Sequence, residues 1–208
     1  MTDRITCAED LARGGAALVA LEPRFGPLIA AHDPLPLRLK APGFATLLQA
    51  IVSQQVSTAS AAAIWTRLYE AGLTRAAALR AATDDDLRAV GLSRPKQRYV
   101  RALAHSGLDL DALASASTDD LIAELTALPG IGRWTAEIYA KFALGHADVL
   151  AAGDLALQEA ARMLFELETR PSERELRDMA ALWSPWRAVA ARALWAYYAQ
   201  AKGREGVG

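Results

Sequence analysis

Leu128-Pro129-Gly130-Ile131-Gly132-Arg133-Trp134-Thr135-Ala136 is the stretch on which the fold turns. Ahead of it, Leu121, Ile122, Leu125 and Leu128 recur at helical spacing behind the capping pair Ser117/Asp120. Behind it, Trp134, Ile138 and Phe142 do the same. Pro129 and the two glycines interrupt the pattern only briefly, so the spacing predicts two helices joined by a tight hairpin. Glycine lets the backbone turn with its N–H groups unshielded, and the next helix opens with unsatisfied amides at the positive end of its dipole. Such an end holds a phosphate without many lysines. A tight turn that needs glycine for its dihedrals alone is the plainer reading, and the spacing leaves both open.

Working outward, Phe44, Leu47, Leu48, Ile51 and Val52 mark a helix after Pro42-Gly43, and a second runs through Ala59 to Tyr69 and ends at Gly72. Thr83 and Asp86 form a capping box for a short helix that Gly91 ends, and Ser93 with Pro95 opens another. Further helices are expected from Asp154 to about Phe165, from the Ser172/Glu175 box to Trp183, and from Ser184-Pro185 to about Ala201. Only Leu35 to Leu39 alternates like extended chain. Abundant alanine and scarce β-branched runs make the expected fold all-α.

Composition narrows the function. Among 208 residues, 23 Lys and Arg balance 24 Asp and Glu, which excludes a protein that holds nucleic acid by bulk positive field, so any such contact is local. The single cysteine, Cys7, allows neither an internal disulfide nor an iron–sulfur cluster, which fits a reducing cytosol. No apolar run approaches the ~20 residues that cross a bilayer. The start, MTDRITCAED, lacks the apolar core of a signal peptide. The expectation is a soluble cytoplasmic protein without membrane contact. His32, His105 and His146 have no metal-like spacing, so no metal site is expected.

Four segments in order resemble the helix-hairpin-helix DNA glycosylase superfamily, and within it the 3-methyladenine DNA glycosylase II branch. They are the hairpin, Val149-Leu150-Ala151-Ala152-Gly153-Asp154-Leu155, the upstream Ala50-Ile51-Val52-Ser53-Gln54-Gln55-Val56-Ser57, and Trp183-Ser184-Pro185-Trp186-Arg187 through Trp195. The resemblance implies a two-lobed all-α fold, one lobe at about 44–150 carrying the hairpin 128–136, the other built from about 1–43 and 155–208. DNA would lie in the cleft between the lobes, with Asp154 at their junction. The roughly 40 residues before the first motif helix are too few for the branch's extra N-terminal β domain on ordinary domain sizes.

The implied activity is hydrolysis of the N-glycosidic bond of alkylated bases in duplex DNA, in base excision repair, by a monomer without cofactor. In a bacterium, such a protein would be associated with the nucleoid. Asp154 reads on its own as an N-cap, and the resemblance makes it the catalytic carboxylate as well. It would stabilise the oxocarbenium character that C1′ acquires as the base leaves. Trp195 points away from the Trp186/Val189/Ala190/Ala193/Tyr197 face, toward Ala188, Ala191 and Ala199, where small side chains leave room beside its ring. The resemblance places Trp195 in the base pocket, where an electron-rich ring favours a cationic base. Trp134 is a second pocket candidate, equally explained as core.

Gln54, Gln55, Gly130, Ile131, Gly132, Arg133 and Thr135 are the expected DNA-binding residues. Gln55 stands where the branch inserts a minor-groove wedge. Arg94, Lys96, Arg98 and Arg101 read either as a solvated helix face or as phosphate contacts. Bifunctional relatives carry a lysine where this chain has Trp134, and Lys141 lies seven residues further on, so no strand-cleaving lyase step is expected. A DNA-binding module that has lost turnover, and a helical interaction protein whose hairpin is merely a turn, are the readings from other classes.

Overall fold

The computed structural model describes residues 4–203, and every regular element among them is helical. The chain divides into two units, one drawn from its two ends, up to Leu39 and from Ala140 onward, the other from Lys40–Tyr139. No strand forms among the described residues, and Arg4 pairs with His146 in an isolated antiparallel bridge. Leu35 to Leu39 runs as irregular loop rather than strand. No strand lies beside it, and Pro36 offers no amide to one.

The first unit opens with α1 (Ala8–Leu21) and α2 (Phe25–Ala31). The second holds α3 (Phe44–Ser53), α4 (Thr58–Glu70), α5 (Ala76–Ala81), α6 (Asp84–Ala89), α7 (Arg94–His105), α8 (Leu110–Ser115) and α9 (Thr118–Thr126). Next comes α10 (Arg133–Phe142), whose last three residues belong to the first unit. That unit resumes with α11 (Leu155–Leu164), α12 (Glu173–Met179), a 3-10 turn at Ala180–Trp183 and α13 (Arg187–Lys202).

Local chemistry sets many of these ends. Thr83/Asp86 and Ser172/Glu175 each close a reciprocal capping box, and the Ser117 hydroxyl accepts from Asp120 N–H, so orphan amides are satisfied where the sequence puts Ser, Thr and Asp. The helix expected from Ser172 to Trp183 tightens into 3-10 geometry over its last four residues. α13 begins at Arg187 rather than at Ser184-Pro185, because Trp186 keeps non-helical dihedrals.

In the terminal unit α13 is the central element. Its residues Ala188 to Trp195 are all buried, the pattern of a helix covered on every side. Small residues permit this: a Cβ on Gly14 of α1 would meet Trp186 Cε3 at 2.5 Å, so only glycine lets α1 approach so closely. Phe25, Phe165 and Trp183 form an aromatic cluster, with the last two stacked at 5.7 Å. In the hairpin unit Leu47, Leu48, Ile51 and Val52 of α3 are buried with Leu68, Leu79, Leu87, Val100, Leu121 and Leu125. Each such side chain contributes about 1.5–3 kcal/mol by leaving water.

Candidate functional site

Asp154 sits at the N-cap of α11 with extended dihedrals, half-buried. Its Oδ1 accepts from Ala156 N–H at 2.9 Å and Leu157 N–H at 3.2 Å, as its position before an apolar helix predicts. A third donor was not legible in the sequence: Trp195 Nε1 reaches the same oxygen at 3.3 Å. Three donors on one oxygen fix the direction of the carboxylate.

The segment leading to Asp154 is tied down along its length. Arg4 donates to Leu144 O, Ile5 N–H to Gly145 O, and Ala188 N–H to Ala147 O. Arg187 forks onto both oxygens of Asp148, and Ser184 Oγ adds a bond of 2.8 Å. Burial pushes the Asp148 carboxyl upward, but the Arg187 and Ser184 bonds outweigh it and hold the group below its ordinary range. Gln158 Nε2 donates to Ala152 O at 2.9 Å. Fully buried His146 is pushed down to about 4, by desolvation first and the nearby Arg4 charge second.

Trp195 is only 6% exposed, yet it lines a cavity of about 340 Å³. Ala199 lines the same cavity, on the small-residue face expected for this ring. Phe142 stacks on Trp195 with centroids 5.7 Å apart and planes 26° apart. Lys141 Nζ lies over the Trp195 ring at 4.2 Å. An amino group of the protein thus lies over the ring that the resemblance offers to a cationic base. Arg192, 1% exposed, also lines the cavity, and its guanidinium lies 5.0 Å from the Phe142 ring. Burial lowers its pKa to about 10, so it stays protonated at neutral pH.

The hairpin lies in the other unit. Gly130 has φ +87°, and a Cβ there would meet Tyr99 Cγ at 2.2 Å, so glycine is required twice over. Gly132 differs: its φ is not positive, nothing lies within 4 Å of its Cβ position, and it is exposed. Ile131 is buried and anchors the turn, while Thr135 is buried just inside α10. Arg133 pairs with the nearly inaccessible Glu137 at 3.0 Å and remains half exposed. Trp134 is 41% exposed, which removes the core explanation.

Gln54 spends its amide inside the protein, donating to Gly130 O at 2.9 Å and Thr135 Oγ1 at 3.3 Å, and so positions the hairpin. Gln55 is exposed and left-handed, with φ +55°. A non-glycine residue held there stores strain, as side chains presented at functional turns often do. The basic stretch divides. Lys96 is buried and donates to Val52 O near the end of α3, where a cation complements the helix dipole. Arg101 holds Ala82 O and Asp84. Arg94 and Arg98 are exposed.

The sequence reading missed Arg192, Tyr139 and the placement of Lys141. A signal existed for two of them. Arg192 interrupts the apolar run from Ala188 to Trp195, and Lys141 shares a helical face with Trp134 and Ile138. Nothing local marked Tyr139, whose hydroxyl accepts from Gly43 N–H at 3.0 Å and sets the start of α3. Among the described residues no helix is long and apolar enough to cross a membrane.

The chain is similar to the probable bifunctional transcriptional activator/DNA repair enzyme AlkA of Mycobacterium tuberculosis, 33% identical over 161 residues that make up 71% of this chain. It spans 32% of that relative's length. The crystal structure of a DNA-3-methyladenine glycosidase from Bacillus halodurans superposes with TM-score 0.84 at 32% identity, covering 91% of both chains. The 3-methyladenine DNA glycosylase Mag1 of Schizosaccharomyces pombe, solved with abasic DNA, gives 0.77 at 25%, covering 91% of this chain and 97% of its own. The family described as HhH-GPD superfamily base excision DNA repair protein matches residues 48–187, more than half of the sequence, and the chain belongs to that family.

Proposed function

We propose that this protein is a monomeric DNA glycosylase that removes alkylated purines of the 3-methyladenine and 7-methylguanine type from duplex DNA, leaving an abasic site. One observation carries the reading: the Asp154 carboxylate is oriented by two amides of α11 and by Trp195 at the rim of a helix, half-buried rather than enclosed. A fixed anion of this kind stabilises positive charge that develops at C1′ while the C1′–N bond breaks, and it directs the attacking water. The similar proteins named for 3-methyladenine support the substrate class.

Duplex DNA would be held through the hairpin, where the open Gly132 lets a phosphate approach the backbone at the start of α10, and through the strained, exposed Gln55. Hydrolysis without strand cleavage is the proposed outcome. Trp134 occupies the position of the lyase lysine, and Lys141 is fully buried with its Nζ turned onto Trp195.

Single-turnover release of methylated purine from alkylated duplex is the test. Asp154→Asn should slow it by about 10²–10³-fold. Equal release by the variant overturns the assignment, and covalent trapping of DNA by borohydride overturns the absence of a lyase step.

A further inference from the structure

Lys141 is a basic side chain in an apolar position. It lies in the last turn of α10, fully buried, between Ala140 and Phe142, which are buried as well. Methionine or leucine would fill the same volume, whereas an amino group taken out of water must recover its lost hydration from neighbours. The C-terminal end of α10 supplies part of this, because the last carbonyls of a helix favour a cation. The face of Trp195 supplies another part, with Nζ 4.2 Å from the ring centroid. Such an attraction strengthens when both partners are desolvated, and Trp195 is itself 6% exposed.

Face and edge of the indole are chemically different: the face carries the negative end of the ring quadrupole and the edge carries the polar N–H. Lys141 Nζ holds the face, Phe142 stacks with centroids 5.7 Å apart, and at the edge Nε1–H donates to Asp154 Oδ1 at 3.3 Å. Contacts to face and edge together fix the tilt of the ring. The N–H bond is long, so a small rotation of the ring breaks it. An ammonium on the face also polarises the indole and makes its N–H a stronger donor. A methionine there would fill the space and hold no charge. Lys141, Phe142, Asp154 and Trp195 all belong to the terminal unit, so the arrangement is internal to it.

Resting on the glycosylase reading above, we propose that Lys141 is a positioning residue for base release: held over the Trp195 ring, it keeps the indole N–H aimed at Asp154 and the carboxylate directed at C1′. It acts through Trp195 and takes part in no proton or bond transfer itself.

The experiment is a double-mutant cycle over wild type, Lys141→Met, Trp195→Phe and the pair, reading single-turnover release of 7-methylguanine and affinity for abasic duplex. Lys141→Met should slow release about tenfold while affinity stays within about threefold, since no phosphate contact is lost. In the Trp195→Phe background the same substitution should cost less than about twofold, because the donor it serves is gone. Release unchanged in Lys141→Met, or a loss as large without Trp195 as with it, overturns the inference. A role confined to folding would lower affinity along with rate and would persist in the Trp195→Phe background. Lys141→Leu takes the place of Lys141→Met should the latter fail to fold. A second readout needs no catalysis: among the five tryptophans, the Trp195 indole N–H proton resonance should move in Lys141→Met while the other four stay. An unmoved Trp195 resonance overturns the inference. If wild type releases base no faster than Asp154→Asn does, the glycosylase reading fails, and the indole resonance still decides whether Lys141 holds Trp195.

Discussion

The indole N–H of Trp195 donates to Asp154 Oδ1 at 3.3 Å, joining the middle of α13 to the first turn of α11 across 41 residues. The bond gives one side chain two duties, wall of the cavity and guide of the carboxylate. Trp195→Phe keeps an aromatic ring to stack on Phe142 but removes the donor. Hydrogen bonds to charged groups are worth about 1.5–3 kcal/mol, and at this length the lower end applies, so single-turnover base release should fall about tenfold. Affinity for abasic duplex should stay within threefold, because the product's phosphate contacts are untouched. A rate equal to wild type would show that Asp154 needs no third donor.

Gly130 and Gly132 make opposite demands. Gly130→Ala forces a Cβ onto Tyr99 and strains a positive φ, so thermal unfolding should occur roughly 3–10 °C lower. Gly132→Ala meets nothing inside the protein and should shift the melting temperature by less than about 2 °C. Its added methyl stands where a phosphate would approach, and DNA affinity measured by fluorescence anisotropy should drop severalfold. A melting point lowered as much as in Gly130→Ala would assign Gly132 to folding alone.

Lys96 serves the protein rather than DNA. Removing its bond to Val52 O in Lys96→Met should cost about 1–3 kcal/mol in urea unfolding, since the carbonyl loses a charged donor. Looser anchoring at the end of α3 should weaken DNA binding, yet the slope of log affinity against log salt should match wild type, as no phosphate contact is lost. A slope reduced by about one would instead identify Lys96 as a phosphate ligand.

His146 makes the terminal unit sensitive to acid. Its folded pKa of about 4 lies below the ordinary 6.5, so the unfolded chain takes up a proton that the folded chain refuses. The neutral buried ring costs nothing above pH 6.5. Stability is lost as pH falls from 6.5 toward 4, by about 3 kcal/mol in all, and no further through this group below 4. Urea unfolding measured across that window should steepen for wild type and flatten for His146→Asn. Equal slopes for the two proteins would assign the acid sensitivity to other groups.

What the linear sequence determined is whatever short-range chemistry dictates. Ser57, Thr83, Ser117, Asp154 and Ser172 each cap the helix they precede because an oxygen two or three residues ahead of an orphan amide needs no tertiary partner to find it. The hairpin was legible for the same reason, as was the small-residue face beside Trp195, since helical periodicity fixes which side chains share a side.

Tertiary structure alone decided the partners of the charges. Lys96 and Arg101 belong to one basic stretch with Arg94 and Arg98, but Lys96 meets a carbonyl 44 residues away. Arg192 meets one 155 residues away, and Lys141 meets the ring of Trp195. Gln54, expected at the DNA, donates to the hairpin carbonyl of Gly130. Periodicity tells which face of a helix is buried. It does not tell which carbonyl or ring lies opposite a cation within that face, because that choice depends on how separate segments come to lie against each other, and here it sets the charge of the cavity.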